Sequence, residues 1–235
     1  MAPVPKPVEL SVFDLDRTLT IVPTYTPFLL FAACSLAPWR LLLLPLLLPA
    51  ALLYAMSALP RGRMKGAMHR LALGTALPRR KAARVAGRFA RYLVACGLYA
   101  EGVALVEGER NAGRRVILAT AAPHLYASPI AHRLGIDDVV ATPSRWRDGC
   151  LIAANDTPNC FGVEKMLRVE AFLEQTGIAR DDAHIRFYSD HDSDLPTFEY
   201  ADEAIAVNPS TRLRAIAAQR GWRVLDWRSF RRRRT

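Results

Sequence analysis

One short apolar run lies near the start of the chain, and in the second half such runs alternate with longer segments in which apolar residues recur every three or four positions. The short runs predict buried strands, and the longer segments predict amphipathic helices. The predicted strands are 8–13, a run ending at 120, 139–141, 185–189, 204–207 and 222–225, and the predicted helices are 101–112, 124–134, 163–175 and 211–219. This alternation predicts an α/β fold with a doubly wound parallel sheet, plus a hairpin around 147–149.

An apolar stretch, 28–59, follows the first predicted strand, and Arg40 is its only charged residue. Its part 41–59 approaches the length of a membrane span. A single crossing would place the first strand and the second half of the sheet on opposite sides of a bilayer, and two crossings need about 40 residues plus a turn. Two interpretations stay open: a helical hairpin whose apolar face packs on protein, or one that dips into a single leaflet.

A basic segment comes next. Residues 61–91 contain ten Lys or Arg and no acid, and Arg80, Arg84, Arg88 and Arg91 fall on one helical face. A solvated helix face and an anionic membrane surface both account for such a stripe. Nucleic-acid binding is not expected, because no stacking motif, zinc finger or helix-turn-helix spacing accompanies it.

Composition adds bounds to this picture. A chain of 235 residues with 51% hydrophobic content is long enough for a core domain with an insertion. A net charge of +10 favours an anionic partner, and four cysteines without paired spacing predict reduced thiols. No signal peptide is expected, so we predict a cytoplasmic protein, with peripheral contact on the inner face of the membrane left open. Disorder is predicted at 1–7 and 231–234.

Candidate chemistry begins where the first strand ends. Asp14 and Asp16 follow it one residue apart, and Thr18 comes next. Alternating side chains place both acids on one face, and backbone carbonyls at the strand end are free to act as ligands beside them. Carboxylate, carbonyl and hydroxyl oxygens suit Mg²⁺, which also accepts phosphate and water.

Other strand ends supply what phosphoryl transfer requires. Asp14 is the candidate nucleophile, and Asp16 is the candidate acid that protonates the leaving group and later activates water. Thr120 and the amide of Ala121 are expected to bind a phosphoryl oxygen, and Lys165 offers a positive charge. Asp190 is expected to complete a Mg²⁺ site formed by Asp14, Asp16 and Asp190, with Asp194 orienting Lys165 or a metal-bound water.

The order of these motifs resembles the haloacid dehalogenase (HAD) superfamily of aspartate-nucleophile phosphatases. The order is a D-x-D-x-T motif, a strand-end threonine, a lysine and an S-D-x-x-x-D motif. The phrase Tyr-Ser-Asp-His-Asp-Ser-Asp-Leu-Pro at 188–196 is similar to the phosphoserine-phosphatase-like branch, subclass IB. The resemblance covers nearly the whole chain. It implies a Rossmann-like core of 1–20 and 99–235, with an inserted all-helical cap of the C1 type, an apolar hairpin plus basic helices, at 21–98.

Two departures from that branch bear on the substrate. The chain has Thr120-Ala121-Ala122 where phosphoserine phosphatases have Ser-Gly-Gly, and Arg17 where they have Gly. The lost glycines remove backbone room at the phosphate loop, and Arg17 is a candidate contact for a second anionic group. The apolar hairpin and basic stripe are similar to the bacterial phosphatidylglycerophosphatase C type, which acts on a lipid phosphate.

The resulting hypothesis is a Mg²⁺-dependent phosphomonoesterase that works through an aspartyl-phosphate on Asp14 and acts on a small or lipid-linked phosphate. One alternative keeps the site but makes the protein a phosphoserine phosphatase or a phosphotransferase. Another alternative is a membrane-surface binding or regulatory protein with a vestigial phosphatase fold.

Overall fold

The computed structural model describes residues 7–57, 61–153 and 158–227. The strands are β1 (Val8–Phe13), β2 (Leu77–Pro78), β3 (Arg115–Pro123), β4 (Asp138–Thr142), β5 (Trp146–Arg147), β6 (Cys150–Leu151), β7 (Ala183–Ser189), β8 (Glu203–Val207) and β9 (Arg223–Leu225). Six of them form a parallel sheet in the order β4-β3-β1-β7-β8-β9. The predicted α/β fold with a parallel sheet is confirmed.

Helices flank this sheet. The α-helices are α1 (Tyr25–Leu36), α2 (Leu48–Ala55), α3 (Arg61–Leu73), α4 (Arg79–Cys96), α5 (Ala100–Asn111), α6 (His124–Arg133), α7 (Val163–Gln175), α8 (Leu195–Tyr200) and α9 (Thr211–Arg220), with 3₁₀ segments at Pro38–Leu47, Arg180–Asp182 and Asp192–Asp194. Local signals define α9 well. The Ser210 hydroxyl accepts from the Leu213 amide at its start, and Gly221 ends it with a φ of 67°.

The sheet is apolar on both faces, as a parallel sheet between helix layers requires. Leu10 and Val12 of β1 belong to one buried cluster, and Phe13 belongs to the other. Because β1 lies between β3 and β7, its carboxyl end is at the centre of the sheet edge. Residues that follow β1 and β7 therefore meet there.

The chain leaves the sheet after β1 and returns to it at an antiparallel bridge between Thr20 and Leu98. Helices α1 to α4 lie between these two points, together with β2, which pairs antiparallel with β6. The expectation that residues 21–98 are all-helical is therefore wrong at this short strand. The helices are not separate from the sheet layer, because Phe28 and Phe89 contact the ring of Tyr126 on α6, with centroids 4.5 and 5.6 Å away. One hydrophobic cluster thus continues from the helical insertion into the sheet layer.

The apolar stretch differs from the prediction. Among the side chains of this stretch that the structure describes, the buried ones lie on α1, and the segment 38–55 consists of a ten-residue 3₁₀ helix followed by α2. Prolines at 38, 45 and 49 each remove a backbone donor and interrupt regular α-helical bonding. No residue of the 3₁₀ segment is fully buried and Leu42 is 81% exposed, but Leu41 packs against the buried core. One side of the segment therefore contacts protein, as the packed interpretation predicts, and the other side faces outward.

No described helix is long and apolar enough to cross a bilayer. The predicted hairpin is confirmed: β5 and β6 pair around Asp148 and Gly149, whose φ angles of 48° and 72° fit a type I′ turn. One strand end is corrected, because β3 continues past Thr120 to Pro123 with a register shift between them. The cysteines are free thiols, and the predicted terminal disorder, Pro7 apart, lies outside the described residues.

Candidate active site

Two acids stand at the carboxyl ends of adjacent strands. Asp14 follows β1 directly, Asp190 follows β7, and the Asp14 amide donates to the Tyr188 carbonyl oxygen at 2.9 Å. Asp14 and Asp190 are almost completely buried. The parallel pairing of β1 with β7 thus places both carboxyl groups at one edge of the sheet, as the sequence predicted.

Lys165 connects Asp14 to a third acid, Asp194. It lies in the first turn of α7, and its ammonium nitrogen is 2.8 Å from Asp14 Oδ1 and 2.5 Å from Asp194 Oδ2. Its side chain is only 2% exposed. A buried ammonium is tolerated because it is paired with two carboxylates, so the position of Lys165 depends on both acids.

Asp194 is itself anchored from β7. The Ser189 hydroxyl donates to Asp194 Oδ2 at 2.7 Å, and the 3₁₀ turn Asp192–Asp194 brings the carboxylate back beneath the strand end. Asp194 Oδ1 is buried, and no described residue donates a hydrogen bond to it. One oxygen of Asp194 therefore positions Lys165, and the other is available to a further donor.

Asp16 is oriented by Thr24. Both the amide and the hydroxyl of Thr24 donate to Asp16 Oδ1, at 2.8 and 2.7 Å. The Thr24 hydroxyl also lies 3.2 Å from the Tyr126 hydroxyl. The start of α1 and a residue of α6 together determine the direction of the Asp16 carboxyl group.

The loop between the two acids and the insertion is tight. Arg17 has a φ of 61°, a left-handed conformation that glycine adopts at lower cost, and its amide donates to Thr20 Oγ1 at 3.0 Å. The Thr18 hydroxyl donates a hydrogen bond to Asp14 Oδ2 at 3.3 Å. This conformation gives a physical reason for glycine at the position of Arg17 in related motifs.

Thr120 and Ala121 lie on the other side of β1. Thr120 is fully buried and its hydroxyl oxygen accepts from the Ala122 amide at 3.1 Å, which leaves the hydroxyl hydrogen for another acceptor. The Thr142 hydroxyl donates to the Ala121 carbonyl oxygen at 3.0 Å. Ala121, but not Thr120, is among the residues that line the cleft.

The cleft has a volume of about 300 Å³. It is lined by Asp14, Asp16, Arg17, Pro23, Ala121, Phe161, Lys165, Asp190, His191, Ser193 and Asp194. Four of these are carboxylates, whereas two are cations. The structure therefore brings together every predicted site residue except Thr120, which lies behind the lining.

Burial and excess negative charge raise the pKa values of the acids in the cleft. Burial is the main cause that raises the pKa of Asp14 to about 7, with Lys165 opposing it and Asp194 adding to it. Burial, Asp14 and Asp194 raise the pKa of Asp190 to about 8. Burial likewise raises the pKa of Asp16, against the hydrogen bonds from Thr24. Burial alone would lower the pKa of Lys165, but Asp14 and Asp194 raise it above its ordinary value.

The donor set suits a hard divalent cation. Oxygen donors dominate the cleft, the negative charge is under-compensated, and a cation would lower the raised pKa values of Asp14 and Asp190. Within 7–57, 61–153 and 158–227, no three His, Cys, Asp or Glu side chains are arranged to hold a metal ion. The Asp16 carboxylate is engaged by Thr24, so backbone carbonyl oxygen is the more suitable third donor beside Asp14 and Asp190.

A second, smaller cavity of about 70 Å³ lies between the helical insertion and the sheet layer. It is lined by Tyr25, Phe28, Leu29, Lys65, His69, Leu73, Pro123, Leu125, Thr142, Pro143, Ser144, Arg145, Leu151, Ile152 and Asn159. The Lys65 ammonium is 3.3 Å from Asn159 Oδ1, so α3 contacts the sheet layer across this cavity.

Sequence reasoning did not assign roles to Thr24, Ser189 or Tyr126. Ser189 precedes Asp190 in the S-D motif, so the sequence predicts that it lies near the site. The sequence does not predict its hydrogen bond to Asp194. Thr24 lies eight residues beyond Asp16, and no spacing rule connects a carboxylate with a hydroxyl after an irregular loop. Tyr126 is brought close only by the packing of α6 against α1.

The chain is similar in sequence to known hydrolases. A family model described as haloacid dehalogenase-like hydrolase matches residues 11–199. Phosphoserine phosphatase SerB1 of Mycobacterium tuberculosis is 34% identical over 164 residues, which are 64% of this chain and 52% of that protein. The chain thus spans about half the length of this relative.

Solved structures extend the likeness over the whole chain. A protein of unknown function from Bordetella pertussis Tohama I has a TM-score of 0.81 at 28% identity, covering 94% of this chain and all of that one. A phosphoserine phosphatase with bound substrate has a TM-score of 0.58 at 18% identity, covering 97% and 98% of the two chains. At that identity the second likeness shows the fold alone.

Proposed function

This chain belongs to the haloacid dehalogenase-like hydrolases, and we propose that it is a Mg²⁺-dependent phosphomonoesterase that works through an aspartyl-phosphate on Asp14. One observation carries the proposal: buried Lys165 is shared between Asp14 and Asp194 at the edge of the sheet. Such an arrangement holds one carboxylate oxygen in place beside a positive charge, as in-line attack on phosphorus requires.

In the first half-reaction, an Asp14 carboxylate oxygen attacks phosphorus and forms a new P–O bond. The P–O bond to the leaving alcohol breaks, and the leaving oxygen takes the proton of Asp16. The raised pKa of Asp16 favours the protonated form that this step uses. Thr24 orients the carboxyl group through Oδ1, which leaves Oδ2 for the proton.

In the second half-reaction, water attacks the phosphorus of phospho-Asp14. Asp16, now ionised, takes a proton from that water, the bond between Asp14 and phosphorus breaks, and phosphate is released. Asp16 ends in its starting protonation state, so the cycle is balanced. The same residue acts as acid and as base because its environment makes both forms accessible.

Mg²⁺ would be held by the carboxylates of Asp14 and Asp190 and by the backbone carbonyl oxygen of Asp16, and when bound it would neutralise phosphoryl oxygens. Asp194 has a buried oxygen without a described donor, which suits a hydrogen bond from a coordinated water. We further propose that the Ala121 amide and Lys165 bind the phosphoryl oxygens, supported by Thr120. Arg17, exposed at the mouth of the cleft, would contact a second anionic group of the substrate.

Residues 21–98 are proposed to act as a helical cap that selects the leaving group. The cavity between α3 and the sheet layer carries Tyr25, Lys65, His69 and Arg145, a mixed set that suits a polar or anionic leaving group. The substrate is proposed to be a small or lipid-linked phosphate monoester. Phosphoserine is the alternative that the name of the mycobacterial relative favours, and transfer to an acceptor other than water is the second.

The test is hydrolysis of p-nitrophenyl phosphate with and without Mg²⁺. Asp14→Asn is expected to lose about 10⁴-fold in kcat/KM, whereas Asp181→Asn, at an exposed acid away from the cleft, is expected to match wild type. Near-normal Mg²⁺-dependent turnover by Asp14→Asn would contradict the proposal. A panel of phosphorylated metabolites and phospholipids, with product analysis, then distinguishes hydrolysis from transfer.

A further inference from the structure

The helical insertion carries an apolar surface that the proposed reaction does not use. We define the apolar segment as residues 38–56, the 3₁₀ helix, α2 and the residue after it. Its exposed large side chains, between 39% and 81% accessible, are Trp39, Leu42, Leu44, Leu46, Leu48, Leu52, Leu53 and Met56. Monomeric proteins in water rarely expose so many large apolar side chains in one continuous stretch, so this surface is suited to an apolar partner.

The same insertion carries a basic helix face. On α4, Ala82, Val85 and Phe89 are buried, whereas the opposite face exposes basic residues. These are Arg80, Lys81, Arg84, Arg88 and Arg91. The helix therefore divides cleanly into an apolar side that packs on the protein and a basic side that faces outward.

A groove lies between the basic face of α4 and the end of α1. It has a volume of about 270 Å³ and is lined by Ser35 and Leu36 of α1 and by Lys81, Arg84 and Arg88 of α4. Ala37 connects Leu36 to the apolar segment. Three cations thus lie beside the end of α1, the helix that leads into the apolar segment, and the guanidinium of Arg88 lies 5.9 Å from the centroid of the Phe31 ring.

Charge selects the partner. Residues 21–98 contain eleven Lys and Arg and no Asp or Glu, so this region accounts for the whole net charge of the chain. Two copies of such a surface repel each other, which disfavours self-association through it. A bilayer with anionic headgroups offers negative charge next to an apolar layer, and this combination matches a basic rim beside exposed leucines.

We propose that the apolar segment and the basic face of α4 form a docking surface for an anionic phospholipid bilayer, with the leucines in the interfacial layer and the cations on the headgroups. The inference does not rest on the proposed hydrolysis. It concerns the surface of the bilayer and can be tested by binding alone.

The test is flotation with vesicles of phosphatidylcholine containing phosphatidylglycerol, compared with phosphatidylcholine alone, at low and at high salt. Wild type is expected to float with the anionic vesicles at low salt, to float several-fold less with the neutral ones, and to lose part of its binding at high salt. Asp14→Asn is expected to float like wild type. Wild type that stays at the bottom with anionic vesicles at low salt would overturn the proposal.

Paired variants test whether this surface is the one that binds the bilayer. Leu42→Ser/Leu46→Ser and Arg84→Ala/Arg88→Ala are each expected to reduce flotation at least about tenfold, because the first removes apolar contacts and the second removes charge. Leu167→Ser and Arg223→Ala change an exposed leucine and an exposed arginine elsewhere and should float like wild type. Equal flotation of the paired variants and the controls would overturn the assignment to this surface.

The fluorescence of Trp39 provides a second measurement of binding that does not depend on the paired leucine and arginine variants. Trp39 is 59% exposed within the segment, so its fluorescence should shift to the blue with anionic vesicles and should be quenched by brominated acyl chains. Trp39→Phe should abolish that shift while retaining flotation. A wild type that is dimeric by light scattering, and that Leu42→Ser/Leu46→Ser converts to monomers, would instead show a contact between copies and would overturn the proposal.

Discussion

The cleft at the sheet edge and the apolar segment of the insertion both reverse the usual distribution of residues, but in opposite directions. The cleft buries charge: Asp14, Lys165 and Asp194 are each less than a tenth exposed. The apolar segment exposes leucines, and no residue of its 3₁₀ part is buried. Burying charge and exposing large apolar groups each cost free energy, so both regions indicate sites that serve something other than folding.

The two regions differ in how their side chains are supported. In the cleft, β1, β7, α7 and the loop before α1 each contribute a hydrogen-bonded partner. In the apolar segment, the exposed leucines lie on a short 3₁₀ helix and a short α-helix. Substitutions in the cleft should therefore alter the chemistry. Substitutions in the apolar segment should instead alter contacts with a partner and leave the fold intact.

The largest effect is expected at Lys165. Lys165→Met removes the ammonium that positions Asp14, and we expect kcat/KM for p-nitrophenyl phosphate to fall about 10⁴-fold, equivalent to about 5 kcal/mol. Arg168→Met, one turn later on the same helix, removes a half-buried cation that is paired with Glu164 outside the cleft, and should change it less than about twofold. Equal activity of the two variants would show that the buried pair is not catalytic.

The comparison can next be tested through stability. Phe89 is fully buried in the insertion against Phe28 and Tyr126, so Phe89→Ala is expected to lower the free energy of unfolding by about 3–5 kcal/mol. Leu46→Ala, at an exposed position of the apolar segment, should change it by less than about 0.5 kcal/mol. Urea denaturation measures both. A large loss in Leu46→Ala would mean that the segment is packed.

His69, on the cavity between the helical insertion and the sheet layer, should make stability depend on pH. Burial, with a smaller effect from Arg70, lowers its pKa from 6.5 to about 4. Between these values the unfolded chain binds a proton that the folded chain does not, so stability falls as the pH falls through this window. Relative to His69→Gln, wild type should lose about 2 kcal/mol between pH 8 and pH 5. A difference that is independent of pH would contradict the burial of a neutral His69.

A smaller effect is expected at Thr24. Thr24→Val keeps the shape and the backbone amide but removes the hydroxyl that donates to Asp16. Loss of one charge-assisted hydrogen bond predicts a decrease in kcat of about tenfold with little change in KM. Thr75→Val, at an exposed threonine, is the control. A change in KM alone would show that Thr24 contacts the substrate and does not orient Asp16.

Much of the cleft could be predicted because strand ends are readable in a sequence. Asp14 and Asp190 follow apolar runs, and parallel pairing brings such ends together whatever the loops do. Thr120 was placed at a strand end, but β3 continues to Pro123 and the hydroxyl oxygen accepts from Ala122. Its local hydrogen bond depends on backbone geometry that residue types do not encode.

The apolar segment was less predictable. A run of leucines is equally compatible with burial and with exposure, since the pattern does not reveal whether a partner is present. The prolines at 38, 45 and 49 disfavour regular α-helical bonding, a feature that the run of leucines does not reveal. The basic face of α4 was predicted correctly because helical periodicity alone determines which arginines share a face.

Trapping the phosphorylated enzyme tests the central claim most directly. Wild type is mixed with a ³²P-labelled phosphate monoester and Mg²⁺, quenched in acid within one turnover and digested, and the labelled peptide is identified by mass spectrometry. We expect the phosphoryl group on Asp14, released by hydroxylamine as an acyl phosphate is, and no label in Asp14→Asn. A phosphoryl group on any other residue, such as His191 or Ser193 in the same cleft, would contradict the account.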